Sequence, residues 1–470
     1  METFLEKEYH TCFIDGHFIE AQGKAKPHIS PVNAKAWTKL HLASESDLKY
    51  ALKTITYPPS NPYERSCKLH RMADYLTKHK DSIAKVITTE MGKVITQALS
   101  EVDYAVSYFR WFAEEAKRIY GLTIPSHISG KNLHTLPVPV GPCFVTTPWN
   151  YPLAMGARKI APALAAGCPV IARPSSITPV SLLVLGFAAM DAELPAGNFS
   201  ILMGNNEEIS LPLMDSPLIK KFSFTGSTAI GTRLYQQGAP TLKKASLELG
   251  GNAPFLIFDD VDINEVAKKA ATSKFRNNGQ TCICPNRFLV QRKMYEPFIE
   301  AFTSYVKQFY IGDPFDEQSQ ISSVLHPASK DKIQQHKSDA LEKGARAVLI
   351  DNNPCLPQIL ADVTFDMRIF KEETFGPLAG ITPFDSDQEG LTLANQTIHG
   401  LAAYIFTQNI TRGEKAIDAL EFGIIGLNDS SPSCAEMPFG GLKASGFGKE
   451  GGPKGIYEYL NEKVISTCIT

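Results

Sequence analysis

The sequence predicts an α/β protein of two successive parallel-sheet units with a protruding β-hairpin. Three observations carry this. Short apolar runs alternate with helical periodicity from Gly141 to Phe258, and a second alternating set runs from Arg287 to Leu427. Between Ile124 and Val140 two extended runs flank Ser129-Gly130-Lys131. At 470 residues the chain also exceeds what one hydrophobic core usually supports.

In chain order, residues 9–40 read as short β pieces such as Cys12–Gly16 among Pro and Asn turns. From Glu45 to about Tyr120 the pattern is helical, with Leu69, Met72, Leu76, Ile83, Val86 and Ile87 at three and four spacing. A helix over Glu101–Tyr120 places Tyr104, Val106, Phe109, Phe112 and Ala113 near one face, which reads as core. The hairpin is marginal alone in water, so it is expected to pack on another subunit. First-unit strands are expected at Cys143–Thr147, Pro169–Arg173, Lys221–Thr225, Ala245–Leu249 and Pro254–Phe258, with helices over Ala154–Ala166 and Pro179–Ala192. Second-unit strands are expected at Arg287–Gln291, Ala347–Ile350, Gly380–Phe384, Ala402–Thr407 and Gly423–Leu427, with helices over Glu296–Phe309 and Asp387–Asn395.

Composition excludes several classes. Hydrophobic content of 43%, charged content of 20% and net charge −2 describe an ordinary globular chain with no footprint for nucleic acid. The longest apolar run, Ser181–Met190, is about half the ~18–20 residues that cross a bilayer. The N-terminus is acidic and lacks the apolar core of a signal peptide. Nine scattered cysteines argue for free thiols in a reducing, cytoplasmic setting. Cys282-Ile283-Cys284 has no second ligand pair, so no metal site is expected.

In parallel sheets ligands bind beyond the carboxyl ends of strands, so the strand ends bear closest reading. Thr225-Gly226-Ser227-Thr228 can bring backbone N–H groups to a pyrophosphate, or be an ordinary tight turn. Glu248, before Leu249-Gly250-Gly251, is placed for general-base work or is a surface glutamate. Asn150, held among Pro148, Trp149, Tyr151 and Pro152, is a rigid oxyanion donor or a turn residue. Cys282, six residues after Arg276 and among small polar residues, reads as a reactive thiol or as a small buried apolar residue. Together these are the parts of thiol-based acyl chemistry.

The blocks Thr147-Pro148-Trp149-Asn150-Tyr151-Pro152, Phe224-Thr225-Gly226-Ser227, Leu247-Glu248-Leu249-Gly250-Gly251, Gly279-Gln280-Thr281-Cys282, Glu372-Glu373-Thr374-Phe375-Gly376-Pro377 and Pro438-Phe439-Gly440-Gly441 resemble the NAD(P)-dependent aldehyde dehydrogenase superfamily, in the family's order, from about Phe13 to the C-terminus. The resemblance implies two Rossmann-like units: a dinucleotide domain of residues 1–122 and 141–249, and a catalytic domain of 250–437. An oligomerisation arm of 123–140 and 451–470 would complete a homodimer or homotetramer. It implies Cys282 as nucleophile, Asn150 and the Cys282 backbone N–H as oxyanion donors, and Glu248 as the base that activates water. Lys159 and Glu450 would relay the proton. Thr147, Pro148, Trp149, Gly226, Ser227, Leu249 and Gly250 would line the dinucleotide path, with Glu373 and Phe375 at the nicotinamide ribose.

Within the superfamily the wording around Glu114–Gly121, Ser273–Asn277, Cys282–Cys284 and Tyr457–Lys463 resembles the succinate-semialdehyde dehydrogenases. A substrate with a terminal carboxylate needs a cationic clamp, and Arg158 and Arg276 stand at the family's two arginine positions. The alternative for either is a structural salt bridge. Ser433 and Phe439 would complete the substrate site, although the Ser430–Ala435 loop departs from the family's wording. Arg173-Pro174-Ser175-Ser176 lacks the glutamate that would bind an adenosine ribose diol, which favours NADP over NAD by charge complementarity. Cys284 is read either as a small pocket-wall residue or as a thiol that disulfide-bonds Cys282 under oxidation. A glutarate semialdehyde or general aldehyde dehydrogenase, or a catalytically silent relative, are the competing readings.

Overall fold

The computed structural model describes residues 7–56, 61–322 and 327–468. The first six residues of the acidic N-terminus lie outside them. Two large sheets dominate. In the first, five parallel strands run in the spatial order Lys244–Glu248, Lys221–Thr225, Cys143–Thr146, Val170–Arg173, Phe199–Ile201. Antiparallel edges close it: Gly446–Phe447 on one side, and Phe13–Ile14 with His17–Phe18 on the other. The strand order reverses between Cys143–Thr146 and Lys221–Thr225, which opens a crevice beyond their carboxyl ends.

The second sheet orders Arg346–Leu349, Gln358–Ala361, Leu378–Phe384, Pro285–Gln291, Ala253–Ile257, Ala402–Phe406 and Ile424–Leu427. Six of these strands are parallel. Arg346–Leu349 was expected as a parallel member, but it is an antiparallel edge on Gln358–Ala361, a strand with no clear signature of its own. Phe255, Phe288, Tyr404 and Phe406 build this sheet's core.

The helical region resolves into Glu45–Thr54, Pro62–Lys78, Lys80–Met91 and Ile95–Glu115. Two glutamates from it act at a distance. The helices Pro152–Ala166 and Pro179–Asp191 each start with a proline and have no side-chain cap of their own. Buried Glu101 accepts the N–H groups of Leu153 (2.9 Å) and Ala154 (3.3 Å). Buried Glu90 accepts those of Val180 and Ser181 at 2.8 Å each. Orphan donors and the positive helix end both favour a carboxylate there. Two helix ends that could hold an anionic ligand are thus filled by the protein itself.

The expected hairpin differs in make-up. Only Thr123–Ile124 pairs back onto Lys131–Pro139. The long partner is Leu460–Cys468, in register over nine residues from Leu460↔Pro139 to Cys468↔Lys131. That pairing is non-local, so no turn signal announces it. Among the described residues, no helix is long and apolar enough to cross a membrane.

Candidate active site

The carboxyl ends of the first sheet face the amino ends of the second across a cleft of about 830 Å³. One wall carries Thr147, Pro148, Trp149 and Asn150 after Cys143–Thr146, and Gly226 and Ser227 after Lys221–Thr225. The other carries Thr281, Cys282 and Ile283 before Pro285–Gln291, and Glu373 and Phe375 before Leu378–Phe384. The nucleophile candidate therefore stands at an amino end. The connection Leu249-Gly250-Gly251-Asn252 crosses between the sheets. A Cβ on Gly251 would lie 2.2 Å from the Cys282 carbonyl oxygen, so glycine is what lets the two segments touch.

The loop before Cys282 is shaped by two consecutive left-handed asparagines, Asn277 (φ 50) and Asn278 (φ 54), then Gly279 (φ 72). Asparagine tolerates this region better than other non-glycine residues, and here side-chain bonds hold it. Asn277 Nδ2 donates to the carbonyls of Asn150 and Gln280, both at 3.2 Å. Asn278 Oδ1 accepts from Ser322 N–H at 3.2 Å.

Asn150 Nδ2 donates to the Gln280 carbonyl at 2.8 Å. Its own carbonyl accepts from Lys93 Nζ at 2.8 Å. Hydrogen bonds on both sides thus hold it. Burial, and next Glu248, push the Cys282 thiol well above the ordinary range, against a downward pull from Arg158. Burial also pushes Glu248 up to about 8. Glu248 does not line the cleft: its carboxylate lies just behind the wall, 3.5 Å from Arg158 Nη2 and within reach of the Cys282 thiol.

Lys159 and Glu450 also sit behind the wall. Pro152–Ala166 is buried along its whole length, so its two cations need partners. Glu450 supplies them: it pairs with Lys159, accepts from Arg158 Nε at 2.6 Å and from Ser223 Oγ at 3.4 Å. The Arg158 guanidinium stacks on the Phe439 ring at 4.1 Å, and its Nη2 has no hydrogen-bond partner. Arg158 is thus largely engaged in the structural ion pair that competed with the clamp reading. Arg276 lines the cleft as Arg158 does, but it is half-buried, leaves Nε without a partner and forms no ion pair among the described residues. Ser433 lines the cleft too, with Oγ 2.6 Å from Tyr104 Oη.

Cys284 departs from the expectation of a pocket-wall residue. It is buried outside the cleft lining, and its thiol turns toward Lys274, 3.5 Å from Nζ and 3.5 Å from the carbonyl oxygen. A turn over Thr281–Cys284, closed by Cys284 N–H donating to the Thr281 carbonyl at 3.1 Å, breaks the strand alternation and sends residues 282 and 284 into different surroundings. Cys284 does not form the cleft wall.

At the far end, Arg173, Ser175 and Ser176 line the cleft with Arg233. Arg173 Nε donates to the Gly204 carbonyl at 3.1 Å. Of the carboxylates on the wall among the described residues, Glu101 is bound to Lys93 and Glu373 Oε1 accepts Gly251 N–H at 3.0 Å. Burial pushes Glu373 up to about 7. Phe375 meets Trp149 edge-on at 5.7 Å. Because Glu90 and Glu101 fill two helix ends, the free helix end on the crevice is that of Thr228–Gly238, capped by Ser227.

Sequence reasoning missed Lys93, Glu101, Asn277 and Arg233. Glu101 had a signal: it falls on the buried stripe Ala98, Val102, Ala105, Phe109, Phe112 of its helix, where a charge needs a partner.

A half-buried thiol, an asparagine donor and a raised carboxyl beside a crevice of about 830 Å³ are the parts that an oxidoreductase working through covalent thiol chemistry needs. A profile of the aldehyde dehydrogenase family matches residues 18–465, and the chain belongs to that family. It is 41% identical to the mitochondrial succinate-semialdehyde dehydrogenase of Oryza sativa subsp. japonica, over 96% of this chain and 86% of that protein. It is 44% identical to the NADP(+) succinate-semialdehyde dehydrogenase of Escherichia coli (strain K12), over 86% and 85%. A crystal structure of an E. coli NADP-dependent enzyme superposes with TM-score 0.96 at 38% identity, covering 100% of this chain and 99% of the other.

Proposed function

We propose that this protein oxidises succinate semialdehyde to succinate with NADP as the electron acceptor. The observation that carries the substrate is Arg276, a half-buried guanidinium on the cleft wall with no carboxylate partner among the described residues. Such a group favours a substrate that brings an anion. The relatives' names agree, although a protein of Pseudomonas putida at 43% identity is named glutarate-semialdehyde dehydrogenase.

In this reading the Cys282 thiol gives its proton to Glu248 as the sulfur adds to the aldehyde carbon, and the oxyanion is held by Asn150 Nδ2–H and the Cys282 backbone N–H. NADP, when bound, supplies the hydride acceptor. The resulting thioester on Cys282 is hydrolysed by a water that Glu248 deprotonates, and the Arg158, Lys159 and Glu450 cluster takes the proton onward. Trp149, Gly226 and Ser227 would hold the pyrophosphate side near the free end of the Thr228–Gly238 helix. Glu373 and Phe375 would hold the nicotinamide ribose. Arg173 and Arg233 line the cleft, form no ion pair among the described residues, and suit a 2′-phosphate. The nine free cysteines support a reducing compartment such as the cytoplasm. Exposed Ile124, Leu136 and Val464 on the three-stranded sheet support its use as a subunit contact in a dimer or tetramer.

The test is NADPH formation across succinate semialdehyde, glutarate semialdehyde, butanal and an ester control, each with NADP and with NAD. Highest kcat/KM for succinate semialdehyde with NADP is expected. A preference for butanal would sink the anion site, and a preference for glutarate semialdehyde would move the assignment one methylene along.

A further inference from the structure

An ion pair lies directly behind the Trp149–Tyr151 turn, and no step of the reaction above uses it. Lys93 and Glu101 are paired, with no solvent exposure on either side chain. Lys93 Nζ also donates to the Asn150 carbonyl at 2.8 Å and lies 3.7 Å from the centre of the Tyr151 ring. Glu101 uses its other oxygen on the N–H groups of Leu153 and Ala154. The pair therefore grips Asn150 and Tyr151 at the end of the turn after the strand Cys143–Thr146, and Leu153 and Ala154 in the first turn of the helix Pro152–Ala166.

We infer that Lys93 and Glu101 are positioning residues for the oxyanion donor, locking Asn150 to the Cys282 loop; the inference rests on the proposed role of Asn150. The Asn150 carbonyl is held by Lys93 and Asn277 while its amide is held by Gln280, two residues before Cys282. Asn277 is fixed in turn by its N–H donating to Gln97 Oε1 at 2.8 Å. Gln97 and Glu101 stand one turn apart on the same helix, Ile95–Glu115. That helix thereby sets the spacing between the Asn150 amide and the Cys282 backbone N–H, which come from different sheets. A buried ion pair is a weak source of stability compared with apolar residues of the same size. Its service here is geometric: oxyanion donors act only when already aimed, and an error near 1 Å costs on the order of 10²-fold in rate.

The experiment replaces the pair by apolar groups of similar volume, Lys93→Met with Glu101→Leu, and follows the acylation of Cys282 by p-nitrophenyl acetate. This reaction builds its oxyanion at the same donors. It needs neither a dinucleotide nor a carboxylated aldehyde, so a wrong substrate assignment cannot mimic its outcome. Expected are a cooperative thermal transition, one alkylatable Cys282 per chain, an unchanged KM for the ester, and an acylation rate per titrated thiol lower by about 30- to 100-fold. Added to Asn150→Ala, the substitutions should cost almost nothing further, because the pair acts through Asn150. A wild-type acylation rate overturns the inference. So does a loss that multiplies in full with that of Asn150→Ala, which would mark a general structural role. Should the apolar pair not fold, Glu101→Gln keeps the shape and one acceptor, and about a 10-fold loss is expected with the same non-additivity. An unchanged rate in Glu101→Gln is then the refuting result.

Discussion

Replacing Arg276 by Leu separates substrate selection from chemistry. Arg276 is half-buried, faces the cleft, and leaves Nε unpartnered. A charge-assisted hydrogen bond is worth about 1.5–3 kcal/mol, and losing one partner of a buried charge pair costs about 2–5 kcal/mol. The cleft admits some water, so the lower part of that range applies, about 3 kcal/mol. At 1.4 kcal/mol per tenfold, this predicts that kcat/KM for succinate semialdehyde falls by roughly 150-fold. Most of it should appear in KM, because the carboxylate is bound alike in the ground and transition states. Butanal has the same chain length without the charge and should lose less than about 3-fold. The assay is NADPH absorbance with both aldehydes on enzyme normalised by Cys282 titration. Equal losses on both would refute the anion clamp. Thermal stability supplies a second check: removing a half-buried cation that lacks an internal counter-charge should leave Tm unchanged or raised.

The pH profile should report Glu248. Burial raises its carboxyl to about 8, so the base form appears as pH rises through that value; thioester hydrolysis should climb through about pH 8 and then level. Glu248→Gln should slow the first burst of NADPH and abolish that limb in steady state, and a profile unchanged by the substitution would remove Glu248 from the mechanism. The same shift has a stability sign. The folded state keeps a proton that the unfolded chain releases above its ordinary value of 4.5, so this group lowers stability as pH rises from about 4.5 to 8; urea unfolding of Glu248→Gln should show a flatter slope across that window. Arg173→Ala should raise KM for NADP by about 10-fold with little change for NAD; an unaltered ratio of the two kcat/KM values would remove Arg173 from cofactor choice. Cys284 faces Lys274, so Cys284→Ala should leave peroxide inactivation and its reversal by dithiothreitol as in the wild type. Protection by that substitution would instead support a Cys282–Cys284 bridge.

Much of the architecture was legible because strands buried on both faces carry continuous apolar runs, and because Pro and Gly punctuate them. Phe144–Val145, Phe222–Phe224 and Phe255–Ile257 announce themselves in this way. Register and partner were not legible. Leu460–Cys468 lies more than three hundred residues from Lys131–Pro139, and no local pattern encodes that match. The antiparallel edge at Arg346–Leu349 is hidden for the same reason: strand direction depends on the path of the chain, not on side-chain alternation.

The sequence by itself determined the family blocks and the identities of Cys282, Asn150, Glu248, Arg276 and the glutamate-free Arg173–Ser176 turn. These are chemical types at set spacings, and local order suffices to read them. Only the tertiary structure decided which charges are available and which are already engaged. Arg158 and Arg276 look alike as text, yet Glu450 holds one and no carboxylate among the described residues holds the other. Cys282 and Cys284 are two residues apart, yet one lines the cleft and the other turns to Lys274. Glu101, on the helix Ile95–Glu115, and Lys93, in the connection just before it, brace the Asn150 turn from far away in sequence. The reason is physical: burial fixes the strength of a charge, and burial and pairing belong to the packed chain rather than to any segment of it.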